Sequence, residues 1–212
     1  AAMPLQNKVD PFGTIQPVSM RGLFMGNRGG RIHDPATKTL LPGKTHASRQ
    51  WITCLTAFKN RRRELMGPGS YTELFFLDEV VSLAAGHRPC AECRRADFKR
   101  YCAAISPDRQ SMKAPDLDRQ LYAERTADRA VLTNREAAEL PDGAMVAIGK
   151  SAFAKRGNNA LPFGFAGYGA KRLWEEVATS GAILLTPPTG VSALQNGYIP
   201  VWHPSAALDA QA

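Results

Sequence analysis

The feature that most constrains this chain is the segment 86–95, Gly-His-Arg-Pro-Cys-Ala-Glu-Cys-Arg-Arg, in which two residues separate two cysteines. This spacing lets Cys90 and Cys93 bind one tetrahedral zinc ion from a single turn. Asp78 is typical of a helix N-cap, and Gly86 is typical of the position just after a helix. We therefore expect a short helix over 78–85, then the cysteine pair, then a second helix over about 90–105.

Two cysteines supply only half of a structural zinc site, so other parts of the chain must provide the remaining ligands. Cys54, in a segment rich in strand-forming residues, and His87 are candidates for the third and fourth ligands. Other candidates for the fourth position are His203, His46 and Cys102. Cys102 lies on the apolar face of its predicted helix, which favours a core thiol over a ligand.

Two other chemistries use a similar cysteine pair. A redox-active thiol pair at a helix N-terminus is one, but the preceding tryptophan and the βαβ pattern of thioredoxin-like proteins are absent here. Zinc deaminases also end their motif in Pro-Cys-x-x-Cys, as residues 89–93 do. They need an upstream histidine or cysteine with a glutamate two residues later, and the chain has no such pair. The deaminase interpretation therefore fails on its own motif.

Positive charge is concentrated in the first half of the chain. Residues 1–113 contain 18 Lys and Arg against 9 Asp and Glu, whereas residues 114–212 contain 9 against 10. This excess accounts for the net charge of +8 and indicates a polyanionic partner. We predict that basic side chains around the cysteines contact the phosphate backbone of nucleic acid, with affinity that falls steeply with salt. The predicted contacts are Arg28, Arg31, Arg61, Arg62, Arg63, Arg88, Arg94, Arg95 and Lys99.

The secondary-structure signals predict an α+β fold. Strand-forming residues predict strands at 51–58 and 71–76, and a glycine-rich stretch predicts a hairpin over 22–31. A helix is predicted from Pro115, which suits a first turn, to about Leu132. After residue 143, short apolar runs alternate with turn residues, which is typical of a small β-rich module. We expect a zinc-stapled strand and helix module with its following helix over 1–135, and a β-rich accessory module over 136–212, or one domain.

Two aromatic residues, Phe75 and Phe76, precede an alanine-rich helical segment and then Gly-His-Arg-Pro-Cys-Ala-Glu-Cys-Arg. This stretch resembles the second half of the Ada-type zinc-binding domain, which repairs methylphosphotriesters. Cys54 and the basic run after it are similar to the first half of that domain, so the resemblance covers about residues 51–100. It implies a Zn²⁺ site that includes Cys54, Cys90 and Cys93, with His87, where the family prefers an aromatic residue, as the fourth ligand. It also implies binding to the backbone of DNA rather than RNA. The family has a second cysteine four residues after the first, where this chain has Phe58, so we do not expect the methyl transfer that the complete cluster performs.

Two further functions are compatible with the sequence. One is a metal-dependent nuclease or hydrolase acting on nucleic acid, although the spacing of its candidate residues matches no nuclease motif. Those residues are His33, Asp34, Glu73, Asp78, Glu79 and His87. The other is a structural zinc protein whose basic face binds an acidic protein. No apolar run approaches the ~18 residues of a membrane span, and no basic-then-apolar leader is visible. We therefore expect a cytoplasmic protein with reduced cysteines.

Overall fold

The structure is a computed structural model that describes residues 3–60, 64–105 and 112–208. Helices and strands are intermixed along the chain, which confirms the predicted α+β class. The strands are β1 (Lys8–Val9), β2 (Ile15–Gln16), β3 (Phe24–Arg28), β4 (His33–Asp34), β5 (Thr39–Leu40), β6 (Trp51–Leu55), β7 (Leu74–Phe76), β8 (Arg88–Pro89), β9 (Met145–Ile148), β10 (Ser151–Arg156), β11 (Asn159–Pro162), β12 (Arg172–Leu173) and β13 (Ile183–Leu184). The helices are α1 (Glu79–Ala84), α2 (Arg95–Ile105), α3 (Ala114–Thr126), α4 (Asn134–Ala138), α5 (Trp174–Val177) and α6 (Pro188–Gln195), with a 3₁₀ turn at Pro204–Ala206.

The N-terminal sheet has the strand order β2-β1-β7-β3-β6-β8. β3 lies at its centre and pairs antiparallel with both β6 and β7. A Cβ on Gly26 would lie 2.1 Å from the carbonyl oxygen of Ile52, so the close approach of β6 requires glycine there. The predicted hairpin over 22–31 is therefore wrong: Gly26 belongs to a central strand, and the chain turns only after it, at Gly29, where φ is +75°.

The C-terminal sheet has the order β12-β11-β10-β9-β13, and every neighbouring pair in it is antiparallel. Strands β9 to β12 follow one another in sequence and in space, as a meander does. The expectation of a β-rich segment after residue 143 is confirmed, with α5 and α6 added to it.

The helices begin and end mostly where local signals place them. Asp78 caps α1 by accepting a hydrogen bond from the backbone N–H of Val81 at 3.0 Å, and Gly86 follows the helix with φ of +79°. Helix α2 begins at Arg95 rather than near Cys90, because residues 91–94 form turns. Helix α3 ends at Thr126, earlier than predicted. Within the described residues, no helix combines the length and the apolar character needed to cross a membrane.

The hydrophobic core crosses the boundary that the sequence suggested at residue 135. Val80 and Val81 of α1 pack in one cluster with Met145 and Leu161 of the C-terminal sheet. A second cluster joins side chains of α2 and α3 to β9, β10 and α5. The two predicted modules thus share their interior, and α1 contributes to the same core as the C-terminal sheet while its far end leads to the cysteine pair.

Candidate metal centre

Alternation along β3 and β6 gives the N-terminal sheet two different faces. Successive side chains of a strand point to opposite sides, and the register pairs Met25 with Cys54 and Arg28 with Trp51. Met25 and Cys54 line one cavity, whereas Arg28 and Trp51 line another. Strand β6 therefore places Cys54 at one cavity and Trp51 at another, on the opposite face of the sheet.

The cysteine pair reaches Cys54 through a short parallel strand. After Gly86 the chain runs along β6 as β8, and the N–H of Cys90 donates to the carbonyl oxygen of Thr53 at 2.9 Å. This pairing brings three thiols together: the Sγ atoms of Cys54, Cys90 and Cys93 all lie within 4.8 Å of one another. All four cysteines of the chain are free thiols. The three-cysteine centre, as we call Cys54, Cys90 and Cys93, can hold a metal ion.

The three thiols differ in their readiness to ionise. Hydrogen bonds from Cys54 and Cys93 lower the pKa of Cys90 to about 2, and the backbone N–H of Glu92 also points to its sulfur at 3.4 Å. The pKa of Cys54 is raised by its hydrogen bonds to Cys90 and Cys93 and by burial. Cys90 is therefore the position where a thiolate forms first, and a bound cation would draw the other two protons off as well.

A cavity of about 450 Å³ opens beside the three-cysteine centre. Its walls include Phe75 of β7, Phe58, and Glu73 just before β7. Glu73 is 1% exposed, and its Oε2 accepts a hydrogen bond from the N–H of Met66 at 2.8 Å. Its Oε1 has no hydrogen-bond partner among the described residues. A buried carboxylate oxygen without a partner is costly, and this one belongs to a residue that lines the same cavity as the thiols.

The structure contradicts the prediction that His87 is the fourth ligand. Its imidazole lies outside the three-cysteine centre, 5.0 Å from the ring of Trp51 and 4.6 Å from that of Phe76. Its Nε2 accepts from Nε of Arg28 at 3.4 Å. Burial, together with the charges of Arg28 and Arg125, lowers its pKa well below the ordinary range, so the ring stays neutral. His87 is a packing residue on the opposite face of the sheet.

The other candidates for the fourth position also lie elsewhere. Cys102 is buried in the large hydrophobic cluster. The imidazole of His203 caps the 3₁₀ turn by accepting from the N–H of Ser205. His46 lies beside Trp51 and Tyr122. Among the described residues, the three-cysteine centre gains no fourth protein ligand within the same distance.

Three arginines predicted to contact phosphate are buried, which corrects that prediction for each of them. Arg88 is 1% exposed and forms a two-point ion pair with Asp118, at 2.7 and 2.8 Å. Arg94 is paired with Glu79 and Asp97, both at 2.8 Å. Arg28 is 2% exposed and stands 3.9 Å from the ring of Trp51. Arg88 and Arg94 use their charges in internal ion pairs, and Arg28 is enclosed beside Trp51, so none of the three is available to a backbone on the surface.

Part of the predicted basic surface remains. Arg31, Arg95 and Lys99 are exposed. Arg95 begins α2 two residues after Cys93, and Lys99 follows one turn later. Arg61, Arg62 and Arg63 lie outside the described residues. Lys59 precedes them, is exposed, and has its Nζ 3.9 Å from Oε1 of Glu92.

The acidic residues considered for a nuclease do not form a common site. Asp78 accepts hydrogen bonds from Val81, from the hydroxyl of Tyr168 and from the N–H of His203. Glu79 accepts from Tyr198 and Val201 as well as pairing with Arg94. These two carboxylates attach the C-terminal segment to α1. His33 is buried against Thr72 and Gly67. Its neighbour Asp34 accepts from the N–H groups of residues 36 and 37 in an exposed turn. Of the six residues considered for a nuclease, Glu73 alone lines the cavity beside the three-cysteine centre.

Arg125 of helix α3 lines the second cavity together with Arg28 and Trp51, and the sequence gives no sign of this role. No local pattern marks it, because its surroundings come from β6, Gly86 and α3 together.

Comparisons with protein-family models, with curated proteins and with solved structures gave no match to this chain.

Proposed function

We propose that the chain is a zinc protein that binds the phosphate backbone of nucleic acid, DNA in preference to RNA, beside its three-cysteine centre. The observation that carries the proposal is the gathering of Cys54, Cys90 and Cys93 within 4.8 Å, with exposed cations close by in the chain. The likeness of 51–100 to the Ada-type zinc domain supports the same function.

The donor set suits zinc. Three thiolates are soft ligands, and thiolate sites with tetrahedral geometry select zinc over the hard cations magnesium and calcium. The pKa of Cys90 is already low, so one thiolate is present at neutral pH. The structure contains three such donors and a cavity beside them, which fits three protein ligands and a fourth position open to another group.

The basic side chains that support backbone binding are those beside the centre. Arg95 and Lys99 point outward from the first turns of α2, and within the described residues neither forms an ion pair. Lys59 lies near Glu92, with its Nζ 3.9 Å from Oε1, and Arg61, Arg62 and Arg63 follow Lys59 in the sequence. Contacts of this kind give affinity without base selectivity.

A gel-shift titration at several salt concentrations tests this proposal. For the zinc-loaded protein and a duplex DNA, we expect log K to fall linearly with log salt. The double variant Arg95→Gln, Lys99→Gln should reduce that slope by about 2, since each phosphate contact adds ~0.9. The matched control is Arg135→Gln, Lys150→Gln, which removes two exposed charges from other parts of the surface. Equal slopes for the two variants, or binding that ignores salt, would overturn the proposed interface.

A second function, metal-dependent hydrolysis of nucleic acid, is favoured by one specific observation. Catalytic zinc sites characteristically have three protein ligands and leave one position for water or substrate, and this centre has three thiols beside a cavity. A zinc ion held there would supply Lewis-acid chemistry to whatever fills that position. Glu73 lines the cavity and has a buried Oε1 without a hydrogen-bond partner among the described residues, so its carboxylate would hold or accept the proton that such a reaction moves.

Incubation of labelled DNA and RNA with the zinc-loaded protein separates the two functions. Hydrolysis predicts strand breakage that Glu73→Gln abolishes and that the exposed-residue control Glu64→Gln leaves intact. Intact strands with salt-dependent binding favour the first function and exclude the second for these substrates. Breakage that survives Glu73→Gln would remove Glu73 from the reaction.

A further inference from the structure

A second cavity, of about 380 Å³, lies on the face of the N-terminal sheet opposite the three-cysteine centre. It is bounded by the N-terminal arm at Phe12 and Gly13, by Trp51 at the start of β6, by the end of α3 and by residues 184–188. Three arginines line it. Arg129 is exposed and donates to the carbonyl oxygen of Phe12 at 2.7 Å, whereas Arg28 and Arg125 lie beside Trp51. Neither the zinc centre nor the exposed cations of the proposed backbone interface belong to it.

Arg28 is buried, yet its guanidinium has only neutral hydrogen-bond partners. Its Nε donates to His87, one terminal nitrogen donates to the carbonyl oxygen of Thr45 at 3.3 Å, and the other to that of Gly13 at 2.7 Å. These bonds use three of the five N–H groups of a guanidinium. Within the described part of the chain, no carboxylate lies within ion-pair distance of Arg28.

Arg125 repeats this arrangement from the other side of the cavity. Its terminal nitrogens donate to the carbonyl oxygens of Gly86 at 2.8 Å and Arg49 at 3.0 Å. Its buried Nε has no hydrogen-bond partner in the part of the chain that the structure describes. The guanidinium carbon stands 4.2 Å from the ring of Trp51, which Arg28 also contacts. A Cβ on Gly86 would lie 2.4 Å from Cδ of Arg125, so the glycine after α1 also makes room for this side chain.

Arg28 is buried and Arg125 is half-buried. Two such cations beside one tryptophan ring are unfavourable unless an anion joins them. Burial and their mutual repulsion lower the pKa of Arg28 to about 9, and burial lowers that of Arg125 to about 10. Two carboxylates line the cavity, and Glu124 is already engaged: it accepts from the N–H and the hydroxyl of Thr189 at the start of α6. The other, Asp128, is exposed. Among the described residues, neither carboxylate lies within ion-pair distance of Arg28 or Arg125, which leaves guanidinium N–H groups for an anion in the cavity.

We infer that this cavity binds a small organic oxyanion, with its phosphate or carboxylate group on Arg28 and Arg125. Guanidinium groups are the preferred partners of these oxyanions. The remaining walls are largely apolar, with Phe12, Ala84, Leu185 and Pro188 among them, so they suit a hydrocarbon or ring attached to the charged group. A volume of about 380 Å³ admits a small molecule. It does not admit a nucleic-acid strand.

Isothermal titration calorimetry on the zinc-loaded protein tests this inference with three probes. We expect saturable 1:1 binding of inorganic phosphate and at least about tenfold tighter binding of phenyl phosphate, because the apolar walls contact its ring. Benzoate distinguishes a carboxylate site from a phosphate site, and phenol, which lacks the charge, should not bind. Failure of phosphate, phenyl phosphate and benzoate to bind at millimolar concentrations would overturn the inference without any variant.

Variants of Arg125 locate the binding. Arg125→Gln should weaken phenyl phosphate at least about tenfold, and Arg125→Lys should give an intermediate loss because it keeps the charge and loses the planar donor pair. Arg119→Gln, an exposed arginine on the same helix, is the control and should bind as the unmodified protein does. Equal affinity in Arg125→Gln, with its fold verified by circular dichroism, would place the anion elsewhere. Duplex-DNA binding, measured in parallel, should be unchanged in Arg125→Gln, so failure here is distinguishable from failure of the proposed function.

Discussion

Removal of the Asp118 carboxylate tests whether Arg88 is a structural residue rather than a phosphate contact. Asp118 accepts from Nε and a terminal nitrogen of Arg88 at 2.7 and 2.8 Å, and the arginine side chain is 1% exposed. Arg88 also donates to the carbonyl oxygen of Pro89 and stands 5.1 Å from the ring of Phe98. Asp118→Ala would leave a buried guanidinium without its counter-charge.

The expected cost follows from that burial. Breaking a buried ion pair by removing one partner destabilises a protein by about 3–5 kcal/mol. For a chain of 212 residues, 1 kcal/mol corresponds to roughly 2–4 °C in Tm, so we expect a loss of about 6–20 °C. The double variant Arg88→Met, Asp118→Leu should recover most of the loss, since it removes both charges and fills the space with apolar side chains.

Urea unfolding of the zinc-loaded proteins, followed by circular dichroism, measures these differences. Arg119→Ala is the matched control, because its ion pair with Asp116 on the same helix is exposed and should contribute less than about 1 kcal/mol. A cost below about 1 kcal/mol for Asp118→Ala, or a double variant no more stable than Asp118→Ala, would refute the reasoning. Arg88 would then be available to an external anion.

Three further perturbations follow from the same structure. Phe58→Cys places a fourth thiol in the cavity wall, four residues after Cys54, and should tighten zinc binding in a chelator competition; unchanged affinity would separate this position from the centre. Gly86→Ala should destabilise by about 1–3 kcal/mol in thermal unfolding, because φ is +79° and the new Cβ would meet Arg125; a neutral result would contradict the close packing. Burial raises the pKa of Asp78 to about 6, so the folded state holds a proton that the unfolded state has lost, and the free energy of unfolding should decrease by up to about 3 kcal/mol as pH rises from ~4 to ~6. Urea unfolding of the metal-free protein should show this decrease, and Asp78→Asn should remove it.

Features that depend on neighbours in sequence were predictable. Asp78 and Gly86 mark the two ends of α1 because capping and a left-handed residue act over one turn. Cys90 and Cys93 lie in one turn because only two residues separate them. The approach of Cys54 was predicted through the likeness to the Ada-type domain, and the parallel pairing of β8 with β6 is the contact that produces it.

Features that depend on tertiary burial were not predictable. From the sequence, an arginine beside a cysteine pair is expected at the surface. Arg88 is buried instead, because it pairs with Asp118, thirty residues later in the chain. His87 precedes the cysteines closely, yet its neighbours Trp51 and Phe76 hold it on the other face of the sheet. Arg125 carries no local signal at all, since its partners come from three separate segments. Charge counts located the basic half of the chain correctly without showing which cations reach the surface.

Zinc K-edge X-ray absorption on the purified, zinc-loaded protein tests the central claim most directly, because it counts the atoms bound to the metal. The three-cysteine centre predicts one zinc per chain, with three sulfur neighbours at about 2.3 Å and one oxygen or nitrogen neighbour at about 2.0–2.2 Å. Cys54→Ser should lower the sulfur count, whereas Cys102→Ser should leave it unchanged. Four sulfur neighbours, or a protein that does not retain zinc, would contradict an open three-thiolate centre.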